Sequence, residues 1–202
     1  MTKLLMAALL LLSSLYVSAE KYPDAKIILR SGEVLQGQAS LPINPGPTVL
    51  KFRENKDAKT RKIISDSIRT VIYYFSGKTV EYDVRDVYVT PSHKMVAQLF
   101  LEVWKLGYVT LYTYSGMENF IGVGSMTNVI NTYFACWREG EPVATMISGT
   151  EKKGRSDFFE SQAAAYFKDD PEIVARVKDK TYHWDDMEKL VNDYNSRRPL
   201  HG

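Results

Sequence analysis

Between residues 25 and 90 short apolar runs alternate with turn signals, the pattern of a succession of short strands. Lys26–Arg30 and Val34–Gln38 flank Ser31-Gly32, a tight-turn pair. The Pro42–Pro47 stretch, Pro-Ile-Asn-Pro-Gly-Pro, cannot continue a strand and is expected as a loop. Thr48–Arg53 resumes extended character, Glu54–Lys59 is a charged turn, and Arg61–Ile64 is a further strand before the turn Ser65-Asp66-Ser67. Arg69–Phe75 and Lys78–Asp83 then form a hairpin across Ser76-Gly77, and Asp86–Thr90 is expected as a last short strand before Pro91.

A second β-rich block covers residues 95–150. Val96–Trp104 and Tyr108–Tyr114 flank Lys105-Leu106-Gly107 as a hairpin, although the apolar run of Val96–Trp104 fits a short helix as well. Thr132–Trp137 and Val143–Ile147 flank Arg138-Glu139-Gly140-Glu141, a third hairpin signal. The charged, glycine-bearing Glu151–Arg155 marks a boundary, and the pattern beyond it is helical. Ser156 or Asp157 caps a helix through Phe167, with Phe159, Ala163 and Phe167 on one stripe. Asp170, Pro171 and Glu172 supply an N-cap, a first-position proline and a first-turn acid for a second helix, whose apolar face is Ile173, Val174 and Val177. Asp185 and Glu188 have capping-box spacing ahead of Met187, Leu190, Val191 and Tyr194, which follow the i, i+3, i+4, i+7 rule. Helices this short persist only when packed, so all three are expected against the sheet.

The fold class expected is therefore α+β: a β-rich N-terminal small barrel and a hairpin sheet, followed by a C-terminal three-helix segment. The organisation read from the chain is 1–19 signal peptide, 20–90 barrel-like part, 91–150 hairpin extension, 151–196 helical segment and 197–202 tail. The order of the first block, with Gly32 and Gly37 around the second strand, then Val49–Phe52, Ile63-Ile64 and Ile68–Ile72, resembles a small SH3-like or Sm-like barrel. In Sm-like proteins such barrels bind RNA, but fold alone does not assign function. The segment Ala165-Tyr166-Phe167-Lys168-Asp169-Asp170-Pro171-Glu172-Ile173-Val174, with Val191-Asn192-Asp193-Tyr194-Asn195 after it, resembles the C-terminal segment of uncharacterised exported proteins of Bacteroidota. Those proteins often carry Cys before the Pro-Glu pair, where this chain has Asp170. The resemblance implies a bacterial envelope or secreted setting and supplies no functional residue.

The first nineteen residues agree with that setting. Lys3 provides a positive start, Leu4–Leu12 an uncharged apolar run, and Val17-Ser18-Ala19 a small-residue cleavage pattern, so cleavage is expected after Ala19. The apolar stretch is shorter than the roughly 20 residues a membrane-crossing helix needs, and no cysteine follows for lipid attachment. The mature chain is thus expected to be periplasmic or extracellular with no transmembrane segment. Lys+Arg 26 against Asp+Glu 24 leaves no strong field for nucleic acid. The lone Cys136, in Tyr133–Trp137, cannot staple the chain and is expected as a buried, inert thiol.

Candidate chemistry is sparse. Ser76-Gly77-Lys78-Thr79 imitates the end of a phosphate-binding loop, but position 72 is isoleucine where that motif needs glycine, and a hairpin turn explains it. Gly122-Val123-Gly124-Ser125 is a lone Gly-x-Gly, explained by a bend or bulge as well as by a ligand loop. Of His93, His183 and His201, only His183 stands beside acids, Asp185 and Asp186, which helix capping also explains. No serine occupies a Gly-x-Ser-x-Gly elbow. No catalytic, cofactor or metal residue is therefore assigned. Tyr73, Tyr74, Tyr82 and Tyr88 are the candidate binding face, against the alternative that they pack within the sheet. The function expected is a non-catalytic extracytoplasmic binding or structural module of a bacterial envelope, its partner an envelope protein or surface glycan. The alternative is an envelope hydrolase, which requires two convergent titratable groups in one cleft.

Overall fold

The computed structural model describes residues 22–42, 49–89, 95–122, 125–149 and 155–198, with the backbone alone over 116–130 and at 155–156. The expected signal peptide (1–19), the expected proline loop beyond Pro42, His93, Val123-Gly124, the charged stretch 151–154 and His201 lie outside the described residues.

Among the described residues ten strands form one sheet, and three helices follow it. The strands are β1 (Asp24–Leu29), β2 (Val34–Ala39), β3 (Val49–Arg53), β4 (Arg61–Ile64), β5 (Ile68–Phe75), β6 (Lys78–Tyr88), β7 (Val96–Lys105), β8 (Val109–Gly122), β9 (Ser125–Arg138) and β10 (Ala144–Gly149). A single 3-10 turn, Ser65–Ser67, links β4 to β5. The helices are α1 (Arg155–Tyr166), α2 (Pro171–Lys178) and α3 (Met187–Ser196). The α+β class, β-rich at its start and helical at its end, is thus the observed one. Among the described residues no helix is long and apolar enough to cross a membrane.

The sheet order is β10-β9-β8-β7-β6-β5-β1-β2-β3-β4, and β10 also pairs in parallel with β6 through Ala144↔Val87 and Thr145↔Tyr88. That second pairing closes β6 to β10 into a five-stranded ring, which removes two sheet edges. Strand β6 belongs to both halves of the sheet: it pairs β5 on one side and β7 on the other, so the sheet runs across the boundary expected near residue 90. Alternation along the strands sorts their side chains into three cores. Ile27, Leu50, Phe52, Ile68 and Val71 fill the first half. Val87, Leu101, Tyr112 and Ala135 fill the ring. Val109, Leu111 and Cys136 face outward and meet Phe159, Phe167 and Leu190 of the helical layer. Each large apolar side chain buried in this way contributes about 1.5–3 kcal/mol.

Several sequence expectations change. Lys78–Asp83 and the first part of Asp86–Thr90 are one eleven-residue strand, Lys78–Tyr88; Thr90 lies outside the described residues. Val84 and Arg85 continue the ladder opposite Phe100 and Leu99, and the charges of Asp83 and Arg85 pair with each other. Val96–Lys105 is a strand, its period hidden because Leu99 and Leu101 enter the ring while Phe100 enters the first core. The β8–β9 hairpin extends well past Tyr114, with a register running from Val109↔Arg138 to Gly122↔Ser125. Gly116, Asn119 and Asn128, types depleted in strands, obscure this in the sequence.

The helical caps divide. Asp170 caps α2 as expected: its carboxylate accepts from the Ile173 amide at 3.1 Å, with Pro171 next. Helix α3 is not opened by an Asp185–Glu188 box. Its N-cap is Asp186, whose carboxylate accepts from the His183 amide at 2.9 Å, while Glu188 accepts from the Trp104 indole at 3.1 Å. A tertiary partner claims Glu188, while Asp186 closes a local turn with His183.

Candidate functional site

The four tyrosines do not share a surface. Tyr73 is 0% exposed, donates to the Ser40 carbonyl at 2.6 Å and packs edge-on to Tyr82 at 5.8 Å within the first core. It therefore cannot contribute to a binding face. The Tyr82 hydroxyl donates to Glu102 at 3.3 Å, and burial, followed by the Glu102 charge and this hydrogen bond, pushes it up to about 12. Tyr74 is 48% exposed and lines an open depression with Asp24, Gln36 and Glu54. Tyr88 is half-buried at the far end of β6, beside α1. The remaining candidates resolve as local structure. Ser76-Gly77 is the hairpin turn between Phe75↔Lys78 partners, with Gly77 at φ +76°. Cys136 is 0% exposed, and burial pushes its thiol well above the ordinary range. Among the described residues no group of three His, Cys, Asp or Glu is placed to hold a metal ion.

A cleft that sequence reasoning does not reveal opens where the β7–β8 and β9–β10 turns come together. The pairing Val109↔Arg138 brings these turns side by side. The cleft has a volume of about 740 Å³ and is lined by Tyr108, Trp137, Arg138, Glu139 and Glu141, with Gly107 and Gly140 in the turns. That volume is within the range typical of small-ligand sites. In sequence these residues read only as hairpin punctuation. An aromatic residue next to each turn is the sole local signal.

Trp137 is fixed from two directions. Its Nε1 donates to the Glu141 carbonyl at 2.7 Å, and the Arg85 guanidinium lies 3.6 Å from its ring centroid. Arg85 is held in turn, donating to the Tyr112 hydroxyl at 2.9 Å and to Asp83 at 3.3 Å. Asp83 also accepts from Tyr112 at 2.7 Å and from Thr70 at 2.8 Å. This polar group sits at the end of the strand ring, where two charges that alternation would bury compensate each other. Comparison with family models, curated proteins and solved structures finds no match. The site has to be read from its own chemistry.

Beside the cleft, Arg138 joins the sheet to the helices. Its Nη2 donates to the Tyr166 carbonyl at 2.8 Å and to Asp169 at 3.1 Å, and its Nη1 is 4.0 Å from Glu141 Oε1. Glu141 Oε2 accepts from the Arg138 amide at 2.9 Å and from the Tyr166 hydroxyl at 2.8 Å, so Oε1 keeps acceptor capacity. Arg138 Nε is buried with no partner among the described residues. Tyr194 donates to Asp169 at 2.6 Å beneath the Arg198 guanidinium, 3.7 Å from its ring centroid. Arg197 and Arg198 reach Asp170 at 3.2 and 3.1 Å.

These contacts keep each group in its neutral-pH form. Burial opposes ionisation of Asp169, yet the Tyr194 hydroxyl, Arg138 and Arg198 outweigh it and hold the carboxyl below the usual range. Burial likewise opposes ionisation of Asp170, and the Ile173 amide and the two arginines outweigh it. Burial, with Cys136 and Glu141 adding to it, pushes Tyr166 far up; burial and the Asp169 hydrogen bond do the same to Tyr194. An ionised acid, a protonated phenol and a guanidinium make a clasp rather than an acid–base pair poised near neutrality.

The end of β7 and the β7–β8 turn carry exposed apolar surface. Trp104 is the extra residue of a β-bulge, unpaired between Val103↔Tyr112 and Lys105↔Leu111, and is 50% exposed. Leu106, at the tip of the same turn, is 71% exposed. Bulges commonly re-aim a side chain in this way.

Proposed function

We propose that this chain is a non-catalytic extracytoplasmic binding module of a bacterial envelope, exported through residues 1–19, and that it holds its partner in the cleft between the β7–β8 and β9–β10 turns. The observation that carries this reading is Trp137, which faces the cleft tethered at its edge to Glu141 and backed by Arg85. A ring immobilised before binding loses little entropy when a ligand stacks on it. Tyr108 lines the same cleft, and the adjoining end of β7 and its turn expose Trp104 and Leu106, residue types of the kind that carry binding energy. The hydrolase alternative draws less support, because the convergent acids, phenols and guanidinium groups at this site are paired with one another. The order β5-β1-β2-β3-β4, with a 3-10 turn before β5, supports reading the first half as a small SH3-like barrel that serves as scaffold. The near balance of 26 basic and 24 acidic residues favours an envelope protein or surface glycan over nucleic acid.

The test is capture from fractionated bacterial envelopes by a tagged chain beginning at Glu20. The account expects a partner retained by the native chain and by Tyr74→Ala, and lost with Trp137→Ala or Tyr108→Ala. Retention by both cleft variants at unchanged stability overturns this assignment.

A further inference from the structure

We propose that the ligand of this cleft is a neutral, linear glycan lying across two cavities on either side of the Arg138–Glu141 pair; this rests on the binding-module reading above. The second cavity, of about 310 Å³, lies between the start of β10 and helix α1. Arg138 and Glu141 line both cavities, so the two adjoin at this pair. To the shared pair the first cavity adds Tyr108, Trp137 and Glu139, and the second adds Tyr88, Thr145, Gln162 and Lys168. Two adjoining depressions suit an extended chain better than a compact monomer.

Charge selects the class of chain. The ionisable lining of the two cavities is Arg138 and Lys168 against Glu139 and Glu141, two of each sign. A strongly anionic or cationic polymer would meet as much repulsion as attraction along its length. A chain of hydroxyl groups has no such conflict. Each hydroxyl both donates and accepts, and the lining offers carboxylate acceptors at Glu139 and Glu141, an ammonium donor at Lys168, and the Thr145 hydroxyl, which does both. Glu141 Oε1, ion-paired with Arg138 Nη1 at 4.0 Å, lies beyond hydrogen-bond distance of it and keeps acceptor capacity where both cavities share Glu141. The Trp137 and Tyr108 rings supply flat apolar surface for the C–H face of a sugar ring, as the polar edges take up its hydroxyls.

The experiment is isothermal titration of the chain from Glu20 with trimers and hexamers of cello-, malto-, xylo- and N-acetylchito-oligosaccharides. Hexamers of chitosan and of oligogalacturonate serve as cationic and anionic counterparts. At least one neutral series is expected to bind, with the hexamer about tenfold tighter than the trimer because it fills both cavities. Trp137→Ala should weaken trimer and hexamer about tenfold or more. Lys168→Ala should weaken the hexamer alone, and Tyr74→Ala neither. Equal affinity for trimer and hexamer overturns the two-cavity arrangement. Binding confined to a charged hexamer overturns the neutral class. Absence of any glycan binding, with Trp137-dependent capture of an envelope protein retained, overturns this inference and leaves the binding-module reading standing. Loss of both removes both.

Discussion

Replacing Asn195 with alanine strips Val109 of two hydrogen bonds at once. Strand β7 turns away after Lys105↔Leu111, so the backbone of Val109 has no strand beside it on that side. The Asn195 amide takes the strand's place: Oδ1 accepts from the Val109 N–H at 2.8 Å, and Nδ2 donates to the Val109 carbonyl at 2.9 Å. Gly107 makes room for this contact, since a Cβ there would stand 2.1 Å from Asn195 Nδ2. Asn195→Ala leaves two backbone groups of a fully buried residue unpaired. Each such group costs about 1–3 kcal/mol, and because Asn195 is half-buried, water offsets part of this. A loss of about 2–3 kcal/mol follows, or about 4–12 °C in Tm for a chain of this size. Gly107→Ala breaks the same contact from the other side and should cost a similar amount. The double variant loses the contact once, so it should be about as stable as the worse single variant, a coupling of about 2 kcal/mol. Urea unfolding followed by circular dichroism measures all four corners of the cycle. Additivity within about 0.5 kcal/mol would refute the account of how α3 is pinned to β8.

Other outcomes follow from the clasp and the cores. Asp170→Ala removes the α2 cap and the partner of Arg197 and Arg198, and should destabilise by about 2 kcal/mol in the same assay. Because Asp169 and Asp170 have depressed pKa values in the fold, their contribution is complete above the unfolded carboxyl pKa of about 3.9 and is lost as pH falls below it. Asp169→Asn and Asp170→Asn should therefore flatten the acid limb of the stability–pH curve, and an unchanged limb contradicts the assignment. The buried phenols act in the opposite direction: with their pKa values raised, stability should fall as pH climbs past about 10, where unfolded tyrosines ionise. Tyr166→Phe should lessen that fall. Cys136 should react with a thiol reagent only as fast as the chain unfolds, and rapid labelling of the native protein would show that its burial is wrong.

The parts of this molecule legible in sequence are those governed by neighbours a few residues away. Asp170-Pro171-Glu172 announces a helix start because a cap bonds within its own first turn. Ser76-Gly77 announces a hairpin because the turn needs φ above zero. Asp185 and Glu188 mislead because their spacing is right locally while Trp104, distant in sequence, claims Glu188. The continuity of β6 through Val84 and Arg85 is hidden for a related reason: Tyr112 and Thr70 satisfy Asp83 across the sheet, and no window along β6 contains them. The cleft is harder still. Tyr108 and Trp137 belong to different hairpins and meet only through the Val109↔Arg138 register. The Tyr194-Asn195 ending acquires a physical role that its motif alone does not reveal, with Tyr194 on Asp169 and Asn195 on Val109.

The central claim, that a partner is held against Trp137, is tested most directly by the indole N–H signals of ¹⁵N-labelled protein. The chain has three tryptophans, Trp104, Trp137 and Trp184, so single Phe substitutions assign the three resonances. On addition of the captured partner or of a binding hexasaccharide, the Trp137 signal is predicted to shift or broaden while Trp184, packed against the helical core, stays in place. A saturated complex in which the Trp137 resonance does not move would contradict the account.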